Sequence, residues 1–144
     1  MERSYATENA RERQRLQALI GRLSDDDLKC PLPNGWTVAI TLAHLAFWDR
    51  QRLALLKHWE RSGVQPAPVD TDTVNEAVSV LAAALPPRTA AQLALDAAEA
   101  IDRALEQLST DLLTAIEAGG EGRILRRAVH RSHHLDRIEQ ALRA

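Results

Sequence analysis

Residues 37–63, TVAITLAHLAFWDRQRLALLKHWERSG, decide how this chain is read. Thr37 suits a side-chain N-cap, and Ser62-Gly63 supplies a stop. Between them Val38, Leu42, Leu45, Leu53 and Leu56 share one face at helical spacing, which predicts a helix over roughly 38–61.

The same spacing recurs on both sides. Leu16, Leu19, Ile20 and Leu23 predict a first helix over roughly 7–23, ended by the proline- and glycine-bearing stretch SDDDLKCPLPNGW. After the loop GVQPAPVDTD, Thr73 and Glu76 form a capping box before Val74, Val78, Leu81 and Leu85, a short extra helix that Pro86-Pro87 ends. Thr89 and Gln92 open a third long helix over roughly 90–117, carrying Leu93, Ile101, Leu105, Leu108, Leu112 and Ile116. Gly119, Gly120 and Gly122 stop it, and a fourth helix follows over roughly 123–143. Strand-forming clusters are missing. The expectation is a single all-α domain over 1–144, a four-helix bundle. The link at 62–89 is long enough to cross the bundle, so up-down-down-up is the economical topology, with the second and fourth helices antiparallel.

Composition narrows the function classes. Eighteen basic residues against twenty acidic ones give a formal charge of −2, so no basic field points to nucleic acid or to a membrane surface. Cys30 is the only cysteine, which rules out an intrachain disulfide and suits a reducing cytosol. Wedged beside Pro31 with no base near it in sequence, it reads as a packed residue. The start MERSYATENARERQRLQ lacks the apolar core of a signal peptide, and no apolar run approaches the ~20 residues that span a bilayer. The reading is a small soluble cytoplasmic protein that acts on a small molecule.

Three of the five histidines, His130, His133 and His134, crowd into HRSHH. His130 and His134 are spaced i, i+4 and share a helical face, the spacing by which one helix offers two nitrogens to a divalent ion. A solvated basic face has the same spacing. His44 is the candidate third ligand, ~10 Å from the start of its helix, while His134 lies ~14 Å from the end of the fourth, levels that coincide if the two helices are antiparallel. His133 points away from both and flanks the pair. His58, in the last turns of its helix, suits the helix dipole without a further role. Arg127 and Arg131 interrupt or border the apolar stripe of the fourth helix. Turned inward they would bind an anionic substrate group; turned outward they would snorkel. Trp48, four residues after His44, is either a pocket wall or a core residue. Asp49 and Asp136 lie at spacings that turn them from the ligands. Val78, Val80, Leu81 and Leu85 make the short helix more apolar than a flanking helix needs, so it either caps the bundle or joins a homodimer interface.

Two segments resemble a known family. GWTVAITLAHLAFWD resembles the second-helix signature of the DinB/YfiT-like superfamily, and HRSHHLDRI its last-helix signature. The likeness implies a four-helix bundle with His44, His130 and His134 as ligands of one divalent metal, zinc or nickel, and frequent homodimers. It further implies a thiol-dependent transferase, with a low-molecular-weight thiol as cosubstrate; three imidazoles would also leave an open position for a metal-bound hydroxide, the chemistry of a hydrolase. Many members have no known reaction, so a bundle that binds metal or ligand without turnover is the alternative. Isomerase-type members carry a glutamate at the position of His130 and a C-terminal extension, whereas this chain ends at Ala144; the resemblance therefore points away from isomerase activity.

Overall fold

A computed structural model describes residues 3–144, and among them the elements are helical. Helix α1 spans Ser4–Arg22, α2 Asp25–Leu28 and α3 Val38–Ser62. Helix α4 spans Thr71–Ala83, α5 Pro87–Glu106, α6 Thr110–Ala118 and α7 Arg127–Arg143, with a 3-10 turn at Gly122–Leu125 before α7. Among the described residues the one extended pairing is an isolated antiparallel bridge between Pro31 and Thr37 that pinches the loop before α3.

Local chemistry explains most boundaries. The Thr37 hydroxyl accepts from the Ile40 amide at 3.1 Å, and Gly63 (φ 85°) closes α3 with its amide on the Trp59 carbonyl. The stretch expected to be a plain break holds α2, because Ser24 and Asp27 form a reciprocal capping box and three aspartates sit in the first turn. For α4 the capping side chain is Asp70, which accepts from the Thr73 amide, and the helix begins at Thr71.

Two expected boundaries fail. The helix expected over 90–117 begins at Pro87, whose fixed φ suits the first helical position, and it is broken at 107–109. There Ser109 accepts from the Leu112 amide and starts α6, while the Arg3 guanidinium donates to the carbonyls of Glu106 and Leu108 at 3.1 and 2.7 Å. A cation brought from α1 satisfies carbonyls that a continuous helix would have used itself. The fourth long helix opens with the 3-10 turn, and its cap is tertiary. Asn9 of α1 accepts from the Ala128 amide at 2.8 Å and donates to the Leu125 carbonyl at 2.8 Å.

Helix α1 packs on α5 and α7, and α3 packs on the same two, so the four long helices enclose one interior. Alanines 90, 91, 94, 97 and 98 line the buried face of α5 and let it lie against α3, the most extensive helix pair. The apolar core falls into two parts. Leu16, Leu19, Leu42, Leu45, Leu135 and Ile138 belong to one, and Tyr5, Leu56, Trp59, Ile101, Leu105 and Ile124 to the other. At the junction every long helix contributes buried polar groups: Asn9, Asp49, Asp102, Arg127 and Arg131. Helix α4 lies along α3 and buries Ala82, while Val80 and Leu81 remain 69% and 73% exposed. No helix among the described residues is long and apolar enough to cross a membrane.

Candidate metal centre

Three imidazoles from two helices converge beside the polar junction. His44 comes from the second turn of α3, and His130 and His134 from successive turns of α7. Ring centroids are 5.1 Å apart for His44–His130, 4.6 Å for His44–His134 and 4.8 Å for His130–His134. The Nε2 atoms of His44 and His130 stand 3.1 Å apart, and one nitrogen from each of the three rings lies within 4.8 Å of the others. Two nitrogens at ~2.0–2.1 Å from a tetrahedral zinc ion would be ~3.4 Å apart, so the spacing of the first pair fits a shared cation.

Protonation favours the same use. Burial pulls the His44 pKa down to about 4. Burial, then the neighbouring Arg127 cation, takes His130 down to about 2. Burial, then His44, takes His134 to about 3. Each ring is therefore neutral at physiological pH, the state in which imidazole ligates. His44 Nδ1 is buried with no hydrogen-bond partner among the described residues. Its ring is held by packing, with Trp36 at 4.9 Å between centroids. Together these features fit a group that could hold one divalent ion.

Below the histidines lies a buried ion-pair network. Asp102, 1% exposed, takes both Nη atoms of Arg131 at 2.8 Å and Arg13 Nη1 at 2.7 Å. Asp49 takes Arg127 Nε at 2.8 Å and Arg131 Nη2 at 3.3 Å. Neither α7 arginine snorkels outward. The Arg131 guanidinium faces the core and does not line the cavity above the histidines, whereas Arg127 does, with Nη2 3.4 Å from His130 Nδ1. His133 is exposed and sets its ring edge-on to His134 at 5.0 Å, outside the three-ring group. His58 is exposed and lies outside the three-ring group, and Asp136 makes a surface pair with Arg15 at 2.6 Å.

A cavity of about 700 Å³ opens over the imidazoles. Its apolar walls are Trp36 and Trp48, and the Trp48 indole donates to Asn75 Oδ1 at 2.7 Å, which ties α4 to the site. Arg52, Arg123 and Arg126 join Arg127 in the lining. Sequence reasoning met Trp36 only as part of a signature, without a role at the site, and passed over Arg52, Asn75, Asn9 and Asp102. For Arg52 a signal existed, since His44, Trp48 and Arg52 follow i, i+4, i+8 along one face of α3.

A protein-family model described as the DinB superfamily matches residues 8–141. The chain belongs to the DinB superfamily. The match covers α3 and α7 as far as Ala141, so the two DinB-like signatures lie within it together with the histidines they carry. No curated protein and no solved structure matches the chain.

Proposed function

We propose that His44, His130 and His134 hold one divalent metal ion, zinc or nickel, and that the protein is a metal-dependent transferase using a low-molecular-weight thiol. The observation that carries the reading is the convergence of three neutral imidazoles at the floor of a cavity, with two Nε2 atoms 3.1 Å apart. When bound, a divalent ion with three imidazole ligands supplies Lewis acidity and an open position at which a thiol or a water loses its proton more readily. The chain's own side chains do the rest. Trp36 and Trp48 exclude water from the floor, and Arg127, fixed by Asp49, keeps the potential there positive. No carboxylate of the described residues lines the cavity, so Asp and Glu offer no general base. That favours a thiol, which is acidic on its own account, over water, and places hydrolysis second. Binding without turnover is the remaining alternative.

Tag-free protein should carry one zinc or nickel per chain by elemental analysis. The Co(II)-substituted form should gain a sulfur-to-metal charge-transfer band with a cellular thiol, and the His134→Ala variant should give none. A stoichiometric ion retained by the triple alanine variant would sink the site. A Co(II) spectrum unmoved by several thiols would sink the transferase and favour hydrolysis.

The bundle topology belongs to the same proposal. Up-down-down-up is supported by the order of contacts: Asn9 and Arg15 of α1 meet Ala128 and Glu139 of α7 in parallel sequence. Tyr5 and Arg13 meet Leu105 and Asp102 of α5 in reverse, as His44 and Asp49 of α3 meet His130 and Arg127 of α7. A homodimer through α4 is supported by the exposure of Val80 and Leu81. A cytoplasmic setting suits the lone, unpaired Cys30.

A further inference from the structure

The walls of the cavity carry an unbalanced charge. Four guanidinium groups, Arg52, Arg123, Arg126 and Arg127, line it without any carboxylate among the described residues. Two have carboxylate partners elsewhere, Arg127 in Asp49 at 2.8 Å, a carboxylate it shares with Arg131, and the exposed Arg126 in Glu8 at 3.6 Å. Arg52 and Arg123 have no carboxylate of the described residues within ion-pair distance. Arg52 is half-buried, its guanidinium carbon lies 5.3 Å from the Trp48 ring centre, and its Nη1 donates to Gln51. Burial first, and then the Arg127 charge, push its pKa down; the fields of Glu121 and Asp49 oppose this only in part. A desolvated cation facing a second cation gains most from an anion brought between them.

Position adds to charge. Arg52 stands two helical turns beyond His44 on the same face of α3, ~12 Å along the axis, with Trp48 between them. A molecule lying on Trp48 would have one end at the histidines and the other at Arg52.

We infer that the cavity takes a small organic anion with a flat apolar body, and that Arg52, assisted by Arg123, reads its negative group. This deepens the proposed function by naming the charge and shape of the substrate, and in the metal-free protein its test does not require the ion.

The test uses a matched pair of fluorescent probes, anionic 8-anilinonaphthalene-1-sulfonate and uncharged N-phenyl-1-naphthylamine, titrated into metal-free and zinc-loaded protein. The sulfonate should bind at stoichiometry one and at least about tenfold more tightly than the amine, the worth of one charge-assisted hydrogen bond. Arg52→Gln should abolish that preference with the amine affinity unchanged, and Arg52→Lys should keep it. Arg103→Gln, on α5 outside the cavity lining, should leave both affinities alone and so exclude general surface binding. Equal affinities for the two probes, no saturable binding of either, or a preference that survives Arg52→Gln would overturn the inference. If zinc fails to bind while the Arg52-dependent preference persists, the metal reading falls and the anion site stands.

Discussion

Asp102→Ala removes the carboxylate on which the polar junction depends. Asp102 holds both Nη atoms of Arg131 at 2.8 Å and also Arg13 at 2.7 Å, and Arg131 is 0% exposed. Without it Arg131 keeps the Asp49 contact at 3.3 Å and the Asn9 carbonyl at 3.1 Å, while its Nε already lacks a partner. Asp49 would then serve two guanidiniums alone, between the two parts of the apolar core. Breaking one member of a buried pair leaves an uncompensated charge and typically costs ~3–5 kcal/mol. For a chain of this size that corresponds to a fall of ~10 °C or more in Tm. Thermal and urea unfolding followed by circular dichroism would measure it, with Arg103→Ala as the comparison. The Arg103–Glu99 pair, at 2.9 Å, is exposed on both sides, so its loss should change stability by less than ~1 kcal/mol. Equal losses in the two variants would refute the claim that Asp102 neutralises a buried cation. Arg131→Met in the Asp102→Leu background should recover much of the stability, since a buried ion pair replaced by apolar groups of similar size is often neutral.

Three more outcomes follow from particular residues. Folding lowers the pKa values of His44, His130 and His134, so their contribution is fully present above the unfolded value of ~6.5 and is lost as pH falls through about 4, 2 and 3 respectively. Metal-free protein should therefore show a steeper drop in urea midpoint between about pH 7 and pH 4 than a His130→Gln variant does; parallel curves would count against buried neutral imidazoles. Gly63→Ala should cost ~1–2 kcal/mol through backbone strain alone, because φ is 85° and nothing lies within 4 Å of the added Cβ; an unchanged midpoint would contradict this. Leu81→Glu should turn a dimer into a monomer in light scattering without changing the helical signal, and a wild-type chain that is already monomeric at high micromolar concentration would remove the α4 interface.

Much of the architecture was legible in the residues because helix formation is written in local periodicity. Thr37, Gly63 and the spacing of Leu42, Leu45 and Leu56 needed no knowledge of the rest of the chain. The i, i+4 relation of His130 and His134 likewise placed both on one face, and a count of turns put His44 at their level. The boundaries that failed were those set from a distance. Helix α5 ends where Arg3 takes its carbonyls, and α7 begins where Asn9 caps it, partners more than 100 positions away in sequence. The same holds for the arginines of α7. A guanidinium in an apolar stripe is stable in the interior only if carboxylates meet it there, and neither Asp49 nor Asp102 is near it along the chain. Sequence spacing determined which side chains share a helix face; which faces meet, and so which charges are neutralised, was decided only when four helices enclosed a low-dielectric interior that tolerates no unpaired ion.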